Sequence, residues 1–175
     1  MRDGAPRVRV IGLGSPFGDD RIGWEVVDRL VESGLPEGVE AVRCENPGRD
    51  LLPLLDGAGR AILVDALRGE GRPGEVVRCS RGDLADGPDR WSTHGFGVAA
   101  MLDLAASLGS LPGRLEIIGI EAGPVQPASE GFRIGAEVAA GGERLAGMLC
   151  AEFAGGEGLF GGASAIPSAR LEVIA

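Results

Sequence analysis

Residues 7–13 (RVRVIGL) alternate between charged and apolar and then become wholly apolar, as a strand entering a buried sheet does. Residues 19–33 change period: Ile22, Val26, Val27, Leu30 and Val31 fall on one face of a helix. Residues 39–44 read as a second strand, and residues 49–55 gather Leu51, Leu52, Leu54 and Leu55 in a short helix. Residues 60–64 (RAILV) read as a central third strand closed by Asp65, and 74–79 as a fourth strand. A polar loop at 80–90 leads to a helix over 94–108, capped by Thr93, with Val98, Met101, Leu102, Ala105 and Leu108 facing inward. A fifth strand at 115–120 (LEIIGI) and a helix at 132–151, weakened by Gly141–Gly142, complete the pattern.

Strands alternating with helices predict an α/β sandwich, a largely parallel sheet with helices on both faces. The link from the third strand to the fourth, through 69–74, is too short to hold a helix. It suits an antiparallel pair and makes the sheet mixed. One domain is expected over 1–152. Residues 153–175 contain five glycines and little periodicity, and are expected to form a disordered or loosely docked tail.

Composition narrows the function. The chain has 175 residues, 44% apolar and 25% charged, the balance of a globular protein. All 17 basic residues are arginine, and with 26 acidic residues the net charge is −9, which argues against nucleic-acid backbones and anionic membranes. No run approaches the ~18 apolar residues of a membrane span, and no apolar signal core opens the sequence. Cys44, Cys79 and Cys150 are odd in number and form no CxxC, which suits a reducing cytoplasm and excludes a thiolate zinc site. Each reads as packing rather than as a nucleophile.

Ligands of open α/β sheets bind beyond the carboxyl ends of the strands. Three polar residues fall at such places: Asp20 after the glycine loop, Asp65 at the end of the third strand, and His94, the only histidine. Each alone is readily a cap or a surface residue. Together, two oxygen donors and one nitrogen suit a borderline divalent ion such as nickel, zinc or manganese. The loop Gly12-Leu13-Gly14-Ser15-Pro16-Phe17-Gly18 also matches GxGxxxG, with Glu45 placed to hold a ribose. Asp19 and Asp20 at the helix start would repel the pyrophosphate such a site receives, so nucleotide binding is disfavoured.

The segments VIGLGSPFGDDRIG, AILVDA and STHGFG, in this order between residues 8 and 120, resemble the hydrogenase maturation endopeptidases, which process nickel-iron hydrogenases. The resemblance implies a phosphorylase/hydrolase-like three-layer α/β/α sandwich around a twisted, mostly parallel, five-stranded mixed sheet. It also implies removal of a C-terminal peptide from the large-subunit precursor once nickel has been inserted. Asp20, Asp65 and His94 would be both the metal-contacting and the catalytic set. Nickel would arrive with the substrate, so the isolated protein would be metal-free or hold another divalent ion. A non-catalytic nickel-checkpoint binder of the same precursor is the alternative. Gly12, Gly14, Gly23 and Gly97 are expected at turns and close approaches, and Trp91 and Phe96 beside His94 as substrate contacts or packing. The sequence departs from the family pattern at Ser15, which replaces an asparagine, in a first loop one residue shorter, and at Arg21, which replaces a glycine.

Overall fold

The computed structural model describes residues 7–69, 71–86, 95–125, 133–155 and 172–173. Strand β1 (Val8–Leu13) passes through a single 3-10 turn, Gly18–Arg21, into helix α1 (Ile22–Glu32). Then follow β2 (Val39–Cys44), α2 (Pro47–Leu55), β3 (Arg60–Leu67) and β4 (Val76–Cys79). Helices α3 (Arg81–Asp86) and α4 (Gly95–Ser107), strand β5 (Arg114–Glu121), helix α5 (Ala136–Phe153) and strand β6 (Glu172–Val173) complete the order.

The sheet runs β2-β1-β3-β5-β4-β6, with β2, β1, β3 and β5 parallel and β4 antiparallel to β5. The parallel strands are apolar on both faces because helices cover both. Val10, Ile62, Val64, Ile118 and Ile120 pack against Ile22, Val26 and Leu30 of α1 and Val138, Leu145 and Leu149 of α5. On the other face Ile11, Leu13, Leu63, Leu67 and Ile117 meet Leu51 and Leu55 of α2, Leu84 of α3 and Val98, Leu102 and Ala105 of α4. The result is the expected three-layer α/β/α sandwich with a mostly parallel mixed sheet.

Five details differ from expectation. Strand β4 does not pair with β3: β5 lies between them, and the link crosses over the end of β5. Glu121 holds that crossing, its backbone bonded to Gly74 and Glu75 and its carboxylate accepting the Gly69 N–H. Strand β3 continues past Asp65 to Leu67, because β5 offers partners as far as Leu67↔Glu121. The segment read as a polar loop contains α3, whose start is fixed by Asp83 accepting the Ser80 N–H at 2.6 Å. A two-residue sixth strand, β6, pairs antiparallel with β4 through Val77↔Val173 and Arg78↔Glu172. Two side chains expected inside are exposed, Val31 at the end of α1 and Leu108 just past α4. Among the described residues, no helix is long and apolar enough to cross a membrane.

Candidate active site

The carboxyl edge of the sheet is built around glycines. A Cβ on Gly23 would lie 2.1 Å from the Leu13 carbonyl oxygen and 2.5 Å from that of Val64. One on Gly12 would lie 2.1 Å from the Gly23 carbonyl oxygen. Only glycines let the first turn of α1 sit directly on the end of β1 and on β3 at Val64. Gly14 is confined in the same way, its Cβ position 2.3 Å from the Asp20 carbonyl oxygen. Gly97 is different: a Cβ there would make an ordinary 3.7 Å contact with the Gly48 nitrogen, so it eases the packing of α4 on α2.

This packing fixes Asp20. Its carbonyl accepts the Ser15 N–H and its N–H donates to the Phe17 carbonyl, both at 3.2 Å. The half-buried Asp20 thus stands on a turn locked to the end of β1, three residues before Gly23. Its neighbour Asp19 has another task. The Asp19 carboxylate accepts the Gly123 N–H at 2.9 Å through Oδ2 and the Gly135 N–H at 2.7 Å through Oδ1. It therefore ties the turn before α1 to the exit of β5 and the entrance of α5.

Asp65 stands on β3, one residue beyond the Val64 carbonyl that Gly23 abuts, and is 1% exposed. A carboxylate so placed in an apolar sheet is costly unless it is hydrogen-bonded, and Asp65 Oδ1 accepts the Ala66 N–H at 2.8 Å. The residue opposite it on β5 is Gly119, so no neighbouring side chain stands beside it on that strand. By strand alternation Asp65 shares the face of Leu63 and Leu67, towards α2 and α4. Asp20 stands on the turn that leads from β1 into α1. Helix α4 begins at Gly95 at this same edge, as the contact of Gly97 with the start of α2 requires. His94, Trp91 and Thr93 lie outside the described residues, as does the side chain of Phe96. Among the described residues no group of three or more His, Cys, Asp or Glu could hold a metal ion.

Cys44 ends β2, 1% exposed. Burial pushes its thiol up to about 12, with the negative charges of Asp50 and Asp65 adding to the effect. At neutral pH it is a packed thiol with almost no thiolate, as the sequence reading expected. Glu45 lines a surface groove with Arg43, Arg49, Asp50, Pro53 and Leu54. Over the ring of Trp24, buried at the start of α1, the Arg43 guanidinium stacks 5.4 Å from the centroid.

Two residues escaped the sequence reading. Asp19 was inseparable from Asp20 because both precede the helix; only the partners at Gly123 and Gly135, more than a hundred residues away, tell them apart. Arg68 follows β3 directly and donates to the Gly123 carbonyl at 3.4 Å. Its signal in the sequence is an arginine three positions after Asp65, directly after the true end of β3 at Leu67.

Comparison with known proteins agrees with this architecture. The chain is similar to the hydrogenase maturating endopeptidase HybD from E. coli, at 23% identity and TM-score 0.70, over 85% of this chain and 93% of that one. A hydrogenase 2 maturation peptidase from Thaumarchaeota archaeon SCGC_AB-539-E09 is 26% identical, with TM-score 0.57, over 85% and 98% of the two chains. The [NiFe] hydrogenase maturation protease HybD from Thermococcus kodakarensis gives 24% identity and TM-score 0.62, over 82% and 96%. No curated protein matches the chain. The family model HycI, described as hydrogenase maturation protease, matches residues 25–152, a span that contains Asp65 and His94 and begins just after Asp20. With that match over most of its length and the fold of these endopeptidases, the chain belongs to the hydrogenase maturation protease family and is a peptidase.

Proposed function

We propose that the protein removes the C-terminal peptide from the large-subunit precursor of a nickel-iron hydrogenase, and that it recognises the nickel already bound in that precursor. Asp20, Asp65 and His94 form the recognising set. The observation that carries this reading is Asp65, a carboxylate 1% exposed within a central strand, paired with Gly119 of β5 and one residue beyond the Val64 carbonyl on which the first turn of α1 sits. Carboxylates and an imidazole suit a borderline divalent ion, and a set of three leaves coordination positions for ligands supplied by the substrate. The nickel is thus part of the substrate rather than a resident cofactor.

Hydrolysis of the peptide bond requires a water, a base to take its proton, and donors for the developing oxyanion. Asp20 or Asp65 supplies the base. Cys44 does not serve as the nucleophile, since burial keeps its thiol protonated. Phe17 and Val125 add apolar, exposed surface near Asp19, on the turn it belongs to and beside the Gly123 that it binds, where an extended substrate segment can lie.

The test is processing of the nickel-loaded precursor by Asp20→Ala, Asp65→Ala and His94→Ala, with folding checked by circular dichroism. Loss of cleavage in all three with the fold intact is expected. Normal cleavage by Asp65→Ala would overturn the assignment. Nickel-dependent binding without any cleavage by the unaltered protein would make it a checkpoint binder.

A further inference from the structure

We infer that Arg68 binds the carbonyl oxygen of the scissile peptide bond and stabilises its oxyanion. The inference rests on the proteolytic reading above and adds a residue to it. Arg68 is the first residue beyond β3, three positions after Asp65, and is partly exposed. Its Nη1 donates to the Gly123 carbonyl at 3.4 Å, at the long limit for a hydrogen bond and easily given up. The N–H of the same Gly123 is bound by Asp19, the residue beside Asp20. One residue of β5's exit therefore links the guanidinium to the turn that carries Asp20, and the short run from Asp65 links it to β3.

Three other arginines are held in ion pairs. Arg21 is paired with Glu25 at 2.7 Å, Arg43 with Asp28 at 2.8 Å, and Arg49 with Asp50 at 2.6 Å. Arg68 has no carboxylate partner among the described residues. A guanidinium can present two N–H groups to one anionic centre and stays charged at every working pH.

The step balances without an oxidant or reductant. The water oxygen attacks the carbonyl carbon while a carboxylate takes one water proton. The carbonyl π pair moves to oxygen, where Arg68 donates to it. Collapse restores the C=O bond and breaks the C–N bond, and the leaving nitrogen takes the proton held by the carboxylic acid. One acid and one amine result, with one water consumed.

The experiment measures kcat and KM for the nickel-loaded precursor with unaltered protein, Arg68→Ala and Arg68→Lys, each checked for folding by thermal unfolding. Loss of one oxyanion donor should lower kcat by about 100-fold or more in Arg68→Ala while KM changes little. Arg68→Lys should recover part of the loss, and millimolar guanidinium added to Arg68→Ala should restore rate, which a merely structural role would not allow. If the unaltered protein cleaves and Arg68→Ala does so within about threefold of it, this inference fails and the protease reading stands. A loss confined to KM, with no rescue by guanidinium, also overturns it. If the unaltered protein does not cleave, the protease reading fails and takes this inference with it.

Discussion

Replacing Asp19 separates the two acids that precede α1. Asp19 holds two backbone N–H groups, at 2.7 and 2.9 Å, with one carboxylate. Hydrogen bonds to a charged group contribute about 1.5–3 kcal/mol each, so two would contribute about 3–6 kcal/mol if fully shielded. The carboxylate is half-buried and solvent screens it, which brings the expected loss for Asp19→Ala to about 2–3 kcal/mol. Asp19→Asn keeps one acceptor oxygen and should lose about half as much. Urea unfolding followed by circular dichroism is the assay; the midpoint should fall with the slope unchanged. Because the same carboxylate steadies the turn that carries Asp20, Asp19→Ala should also slow cleavage by about tenfold, a smaller loss than Asp20→Ala causes. Asp20→Ala should abolish cleavage. A loss below about 0.5 kcal/mol in Asp19→Ala, the range of an ordinary surface change, would refute the tie between the turn, β5 and α5.

Three other outcomes are expected. The Cys44 thiol, raised from 9.0 to about 12 in the folded protein, releases its proton in the unfolded chain first; stability is therefore fully present below pH 9 and declines as pH rises towards 12. Since the chain has no lysine or tyrosine to titrate in that interval, unaltered protein should lose about 2 kcal/mol more than Cys44→Ala between pH 8.5 and 10.5 in parallel urea titrations. Gly23→Ala places a carbon 2.1 Å from a backbone oxygen and should lower the thermal midpoint by several degrees, a loss of about 2 kcal/mol or more that also displaces Asp20. At the opposite edge Glu116, buried between Arg60 at 2.6 Å and Arg114 at 2.7 Å, should cost about 3–5 kcal/mol on replacement by Ala, read from the urea midpoint.

The fold was legible where burial imposes a simple period. Strand β2 is legible at 39–44 because turn residues bound it, and α4 is legible at 94–108 against an observed Gly95–Ser107. The end of β3 was misread because an acid interrupts an apolar run, although Ala66 and Leu67 stay buried against β5 and the helices. The place of β4 is not a local property: a short link allows the strand to step over β5, and only the Glu121 clasp shows that it does. The same distinction applies at the site. Asp20 follows the glycine loop after β1, and Asp65 interrupts an apolar run, so the positions of both stand out in the sequence. The separate work of Asp19, and the nearness of Arg68 to Gly123, depend on contacts with segments distant in sequence.

The central claim is tested most directly by incubating the protein with its nickel-loaded large-subunit precursor and measuring the precursor's intact mass, beside nickel-free precursor and the His94→Ala protein. The account predicts one mass loss, corresponding to a single cut near the precursor's C-terminus, only with nickel and only with His94 present. Equal cleavage of the nickel-free precursor, or cleavage by His94→Ala at the unaltered rate, would contradict it.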